Sequence, residues 1–90
     1  MTTEEKRIKI AGVVGKDADY FNDLNAMHSA EGHWIESARS EYERNERAAI
    51  LEIDVIRAMM PGRRVIQPSY RATAAQRAEA FGRTLNLWTE

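Results

Sequence analysis

The sequence predicts a mainly α-helical fold, with about four helices in one small domain spanning residues 1–90. Three observations predict it: apolar residues recur at helical spacing in four stretches, two of those stretches open with capping-box pairs, and the two prolines, Pro61 and Pro68, sit together in one short segment. A short strand or small sheet, making the domain α+β, is the alternative, because Arg7–Ile10 and Leu51–Val55 also alternate at period two and Val65-Ile66 fits a very short strand.

The first helix is expected from about Thr3 to Val14. Thr2 with Glu5 three residues later is a capping-box pair, and Ile8, Ala11 and Val14, with Ile10 and Val13, supply the apolar positions. Gly15 ends it, since glycine reaches the left-handed conformation without steric cost. A short loop, Lys16 to Asp19, leads to a second helix that Asp19 would cap and that runs to about Glu31, with Phe21, Leu24, Met27 and His28 on one face.

Gly32 is expected to break or bend the chain before a longer third helix, Trp34 to Met60. Its first half is charged, with Glu43 and Arg47 at the favourable four-residue spacing and Ile35, Ala38 and Tyr42 facing inward. Its second half carries Ile50, Leu51, Ile53, Val55, Ile56, Met59 and Met60 round most of the circumference, so it should be buried on more than one side, within the domain or against a second copy. Pro61-Gly62 stops it, and the chain is extended to Pro68. The last helix is introduced by Thr73 and Gln76, again a capping-box pair, and Ala74, Ala78, Phe81, Leu85 and Trp88 recur along it. Gly82 inside it points to close approach by another helix.

At 43% apolar and 30% charged, the composition is that of a folded domain. The absence of cysteine excludes disulfides, thiolate nucleophiles and sulfur-ligated metals, and it suits a reducing cytoplasm. The amino terminus has early acids and no apolar core for a secretory signal, and no run is long and apolar enough for a membrane span. Residues 1–56 hold 7 basic and 12 acidic side chains, whereas residues 57–90 hold 6 arginines against Glu79 and Glu90. The two halves are expected to cancel by packing together.

No catalytic residue is identified. Ser29 beside His28 is adjacency in sequence, which is not the geometry that nucleophilic catalysis requires. Gly12-Val13-Val14-Gly15 lacks the remaining glycine and lysine of a phosphate loop. The acid pairs Glu41/Glu43 and Glu43/Glu46 lie on a solvated face, where nothing shifts their acidity. His28, Glu31 and His33 form the one cluster that invites a metal, but imidazoles five residues apart on a helix diverge. No metal and no cofactor are expected; an edge histidine and a loop histidine are.

Binding is the better expectation. Trp34, between Gly32-His33 and the charged half-helix, is placed to anchor a partner. Arg63, Arg64, Tyr70 and Arg71 combine basic side chains with an aromatic ring, the chemistry of a nucleic-acid contact, although Arg77 and Arg83 nearby do not share a helical stripe.

Tyr20–His28 and Ala72–Trp88 resemble the paired signatures of small tailed-phage and prophage proteins, some of them grouped as the phage ABA sandwich domain family, and Glu4–Ala11 is similar to their usual start. Gly32 stands where lysine is frequent in that family, and His33–Arg71 falls outside the resemblance. The resemblance implies helices sandwiching a sheet and an accessory role in the cytoplasm of an infected bacterium. It implies no activity and no catalytic residue. The expected partner is a host or phage protein, with interference in a bacterial defence system one form of that role; a small nucleic-acid-binding regulator is the alternative. A homodimer is expected separately, from the apolar surplus at Ile50–Met60.

Overall fold

The structure, a computed structural model, describes residues 1–59 and 72–88. Among them are four helices and no strand: α1 (Thr3–Val14), α2 (Leu24–Glu36), α3 (Glu41–Met59) and α4 (Ala74–Thr84). The mainly α expectation holds. Arg7–Ile10 and Leu51–Val55 are helical, so neither supplies a strand for the sandwich alternative, and Val65-Ile66 lies outside the described residues.

α1 matches its predicted bounds. Thr2 accepts a hydrogen bond from the Glu5 amide, and Gly15 closes the helix at φ 81° with its own amide bonded to Ala11. Of its apolar residues only Ile10 is fully buried, whereas Ile8 and Val13 are exposed. α1 meets α2 and α4 through that narrow face.

The second and third helices divide elsewhere than the glycine suggests. Asp19 does not cap α2; it closes a turn in which its carbonyl accepts from the Asn22 and Asp23 amides. Asp23 is the cap, its carboxylate accepting from the amides of Asn25 at 3.0 Å and Ala26 at 3.2 Å. Phe21 is buried in that turn, ahead of the helix, and Leu24 and His28 are exposed.

α2 then runs straight through Gly32, carries His33 and Trp34 within the helix, and stops at Glu36. One helix-breaking residue costs about 1 kcal/mol, too little to end a helix whose neighbours are packed. The break comes at 37–40, where serine hydroxyls compete for backbone groups. Ser37 Oγ donates to the Trp34 carbonyl, and Ser40 Oγ accepts from the Glu43 amide at the start of α3. Ser40 with Glu43 three residues on is itself a capping-box spacing. The reciprocal bond differs from that of a capping box, because the Glu43 carboxylate accepts from the amide of Arg39, one residue before Ser40, and this takes it away from the expected pairing with Arg47.

α3 buries Leu51, Val55 and Met59 at four-residue spacing and lies chiefly against α4. Within the single chain it is not buried on several sides, since Tyr42, Ile50 and Ile53 are exposed, so it does not run through the middle of the domain. α4 carries the predicted capping box, with Ala74, Ala78 and Phe81 buried. It ends at Thr84, short of Trp88. Asn86 adopts φ 56°, a left-handed conformation that asparagine tolerates, and the Leu87 amide returns to the Gly82 carbonyl at 2.8 Å. That reversal lays Trp88 back on the helix, so the close approach to Gly82 is made by Trp88, in place of another helix.

The core contains Ile10, Tyr20, Met27, Leu51, Val55 and Phe81. Burying Phe81 fully contributes about 2–3 kcal/mol. Among the described residues no helix is long and apolar enough to cross a membrane.

Candidate functional site

Two of the clefts beside α3 are lined from α2, α3 and α4 together, and their chemistry differs. The first, about 270 Å³, lies where α2, α3 and α4 meet and is lined by His28, Glu31, Glu52 and Arg77 with apolar Ile35, Ala48, Leu51 and Val55. Glu31 is the buried acid of the core, 6% exposed. Arg77 Nη1 donates to both its carboxylate oxygens, at 3.1 and 3.0 Å, and His28 Nδ1 stands 3.5 Å from Oε1. Burial raises the Glu31 carboxyl above its ordinary value, while Arg77 and, less strongly, His28 pull it down.

This ion pair links the acidic and basic halves of the chain, as their opposite balances suggest. It also engages one of the arginines near the nucleic-acid candidates. The imidazole and carboxylate are on one face because they are three residues apart on α2. Ser29, the next residue, is exposed and points about 100° away. The His28–Glu31 pair therefore brings no hydroxyl with it, and Arg77 occupies the carboxylate that would otherwise orient the imidazole as a base. His33 is exposed, five residues from His28. Among the described residues no group of three or more His, Asp or Glu side chains is placed to hold a metal ion.

The second cleft, about 340 Å³, opens at the corner between α2 and α3 and is lined by Trp34, Glu43, Glu46, Arg47, Ile50 and Thr84. Trp34 is half-buried, with its ring edge-to-face against Phe81 at 6.1 Å between centroids. The Arg47 guanidinium stands 5.0 Å from the same ring and donates to the Trp34 carbonyl at 2.7 Å and Ser37 Oγ at 3.0 Å. Arg47 thus satisfies the carbonyl end of α2, where a cation is favoured by the helix dipole, and holds the two helices at a fixed corner. Thr84 is fixed from below by donating to Asp54 at 2.6 Å.

The corner is a preorganised surface: an aromatic ring backed by Phe81, a carboxylate on Glu43 tied to the backbone, a second on Glu46, and the exposed Ile50 beside them. Tyr42, 77% exposed, extends the same side of α3 from a position predicted to face inward.

Of the five binding candidates from the sequence, Trp34 lines this cleft, while Arg63, Arg64, Tyr70 and Arg71 lie outside the described residues. The sequence sets Arg47 with Glu43 and Glu31 with His28 and His33, and does not show the partners that the structure gives them. Each acts through a partner on another element, Trp34 and Arg77 respectively, and periodicity along one helix does not report such pairs. Ser40 with Glu43 was readable as a cap and would have placed the corner.

No protein-family model matches the chain, and neither a curated protein nor a solved structure matches it.

Proposed function

We propose that the chain is a phage or prophage accessory protein that works in the host cytoplasm by binding another protein, with the Trp34 corner as the contact surface. The observation that carries this reading is the arrangement of Trp34, Glu43, Glu46 and Ile50 round one cleft, braced by Arg47. Buried aromatic anchors ringed by polar groups are where binding energy concentrates. The two carboxylates favour a partner segment that presents a lysine or arginine next to an apolar residue, the ring and Ile50 taking the apolar part. Interference with a bacterial defence system is one role such binding would serve; the phage assignment rests on the resemblance of Tyr20–His28 and Ala72–Trp88.

Binding is preferred over catalysis because the carboxylate nearest an imidazole, Glu31, is held by Arg77. The test is capture of partners by the full chain from infected cells, comparing wild type with Glu43→Lys. A partner taken reproducibly by wild type and lost by the variant is the expected result. Equal capture by both, or no reproducible partner at any stage of infection, overturns the reading.

A further inference from the structure

The outward side of α3 has a pattern that is complementary to itself. Ile50 and Ile53 are 43% and 51% exposed, in a helix that already buries Leu51, Val55 and Met59 on its opposite side. Glu46 stands four residues before Ile50 and Arg57 four residues after Ile53, so the charges are placed symmetrically about the isoleucine pair. Eleven residues separate Glu46 from Arg57, close to three full turns, and the two fall within about 20° of each other round the axis. Both are exposed. Among the described residues Arg57 makes a loose local contact, 3.7 Å to Asp54, with its side chain 75% exposed. The small, exposed Ala49 lies next to the isoleucines and permits close approach of a second helix.

We infer that α3 pairs antiparallel with α3 of a second copy of this chain, about a two-fold axis between Ile50 and Ile53. In that register Ile50 meets Ile53 of the other copy and Ile53 meets Ile50. Glu46 meets Arg57 at both ends, and the helix dipoles oppose. A two-fold interface requires one patch to complement itself, and this order of acid, apolar pair and base does so only when the helices run in opposite directions. A parallel arrangement would set Glu46 against Glu46 and Arg57 against Arg57. The contact covers about three turns of one helix, so the interface is small and the association is of the weak, reversible class. It goes beyond the partner-binding reading and rests on separate observations; Glu46 and Ile50 belong to both surfaces, so self-pairing and a partner at the Trp34 corner would compete for them, and the association is measured on the chain alone.

Sedimentation equilibrium of the full chain, from roughly 1 μM to 1 mM, tests the inference. The wild type is expected to pass from monomer to dimer within that range, and Ile53→Glu to remain monomeric. Glu46→Arg alone and Arg57→Glu alone each weaken the dimer on the order of tenfold, because two-fold symmetry makes every substitution act twice. Combining Glu46→Arg with Arg57→Glu restores wild-type association. Circular dichroism accompanies each variant, and its helical signal is expected to be unchanged at these exposed positions. A wild type that stays monomeric throughout, a dimer untouched by Ile53→Glu, or a double reversal no tighter than the single ones overturns it.

Discussion

The indole of Trp88 occupies the place where a side chain on Gly82 would be: a Cβ there would collide with Cζ2 and Cε2 of the ring. The ring is held from two more sides, by its Nε1 donating to the Glu79 carbonyl at 3.2 Å and by the Lys6 ammonium 5.2 Å from its centroid. Lys6 also pairs with Glu79 at 2.5 Å, so α1, α4 and the reversed chain after α4 are joined at one point.

Gly82→Ala is therefore expected to destabilise the protein by about 1–3 kcal/mol, although alanine is the better helix former. Chemical denaturation gives the cost. The substitution also displaces Trp88, so its fluorescence in a Trp34→Phe background shifts towards that of a solvated indole. A stabilised variant with unchanged emission would contradict the packing described.

The Glu31–Arg77 pair sets a pH dependence. Because burial raises the Glu31 carboxyl, the folded chain still holds this proton at pH values where the unfolded chain, near 4.5, has lost it. Between the unfolded value and the higher folded one, the folded state binds more protons, so this group's contribution is full below that window and declines as pH rises through it. Side-chain carboxyl NMR should place the Glu31 titration above the ordinary value.

Arg77→Met should push that titration higher, since it removes the main opposing attraction. It should also cost about 3–5 kcal/mol at neutral pH, where a buried carboxylate is left unpaired, and less near pH 4, where it is protonated. An unaltered Glu31 titration in the variant would refute this account of the cleft.

The start of α2 distinguishes two aspartates. Asp23→Ala removes a carboxylate that accepts from two backbone amides and is expected to cost about 1 kcal/mol. Asp19→Ala leaves the carbonyl contacts of its turn intact, removes only side-chain bonds to Asn22, and should cost less. Equal losses in thermal or denaturant unfolding would contradict the assignment of the cap.

The helices at the two ends were legible because their signals are local. Thr2 with Glu5, Gly15, and Thr73 with Gln76 act within one turn, where neighbouring residues suffice to identify a cap. The middle was misread for a physical reason: Gly32 is a weak breaker inside a packed helix, whereas the hydroxyls of Ser37 and Ser40 end one helix and begin the next. Ile50 and Ile53 belong to the apolar surplus noticed in the sequence, but composition does not say which apolar residues a small core leaves outside. The Trp34 corner was half legible. Trp34 stood out as an anchor, yet the Arg47 contact that orients it joins two helices and exists only after folding, as does Arg77 on Glu31.

The claim on which the functional reading depends is that the α2–α3 corner is where another protein is met. Site-specific photo-crosslinking in infected cells tests it most directly, with the photoreactive residue at Tyr42, exposed one helical turn before Glu46, or at Lys9, exposed on α1. The prediction is an adduct with a host or phage protein from position 42 and none from position 9, with adducts to a second copy recognised by mass. Equal labelling from both positions, or no adduct to another protein from position 42, would contradict it.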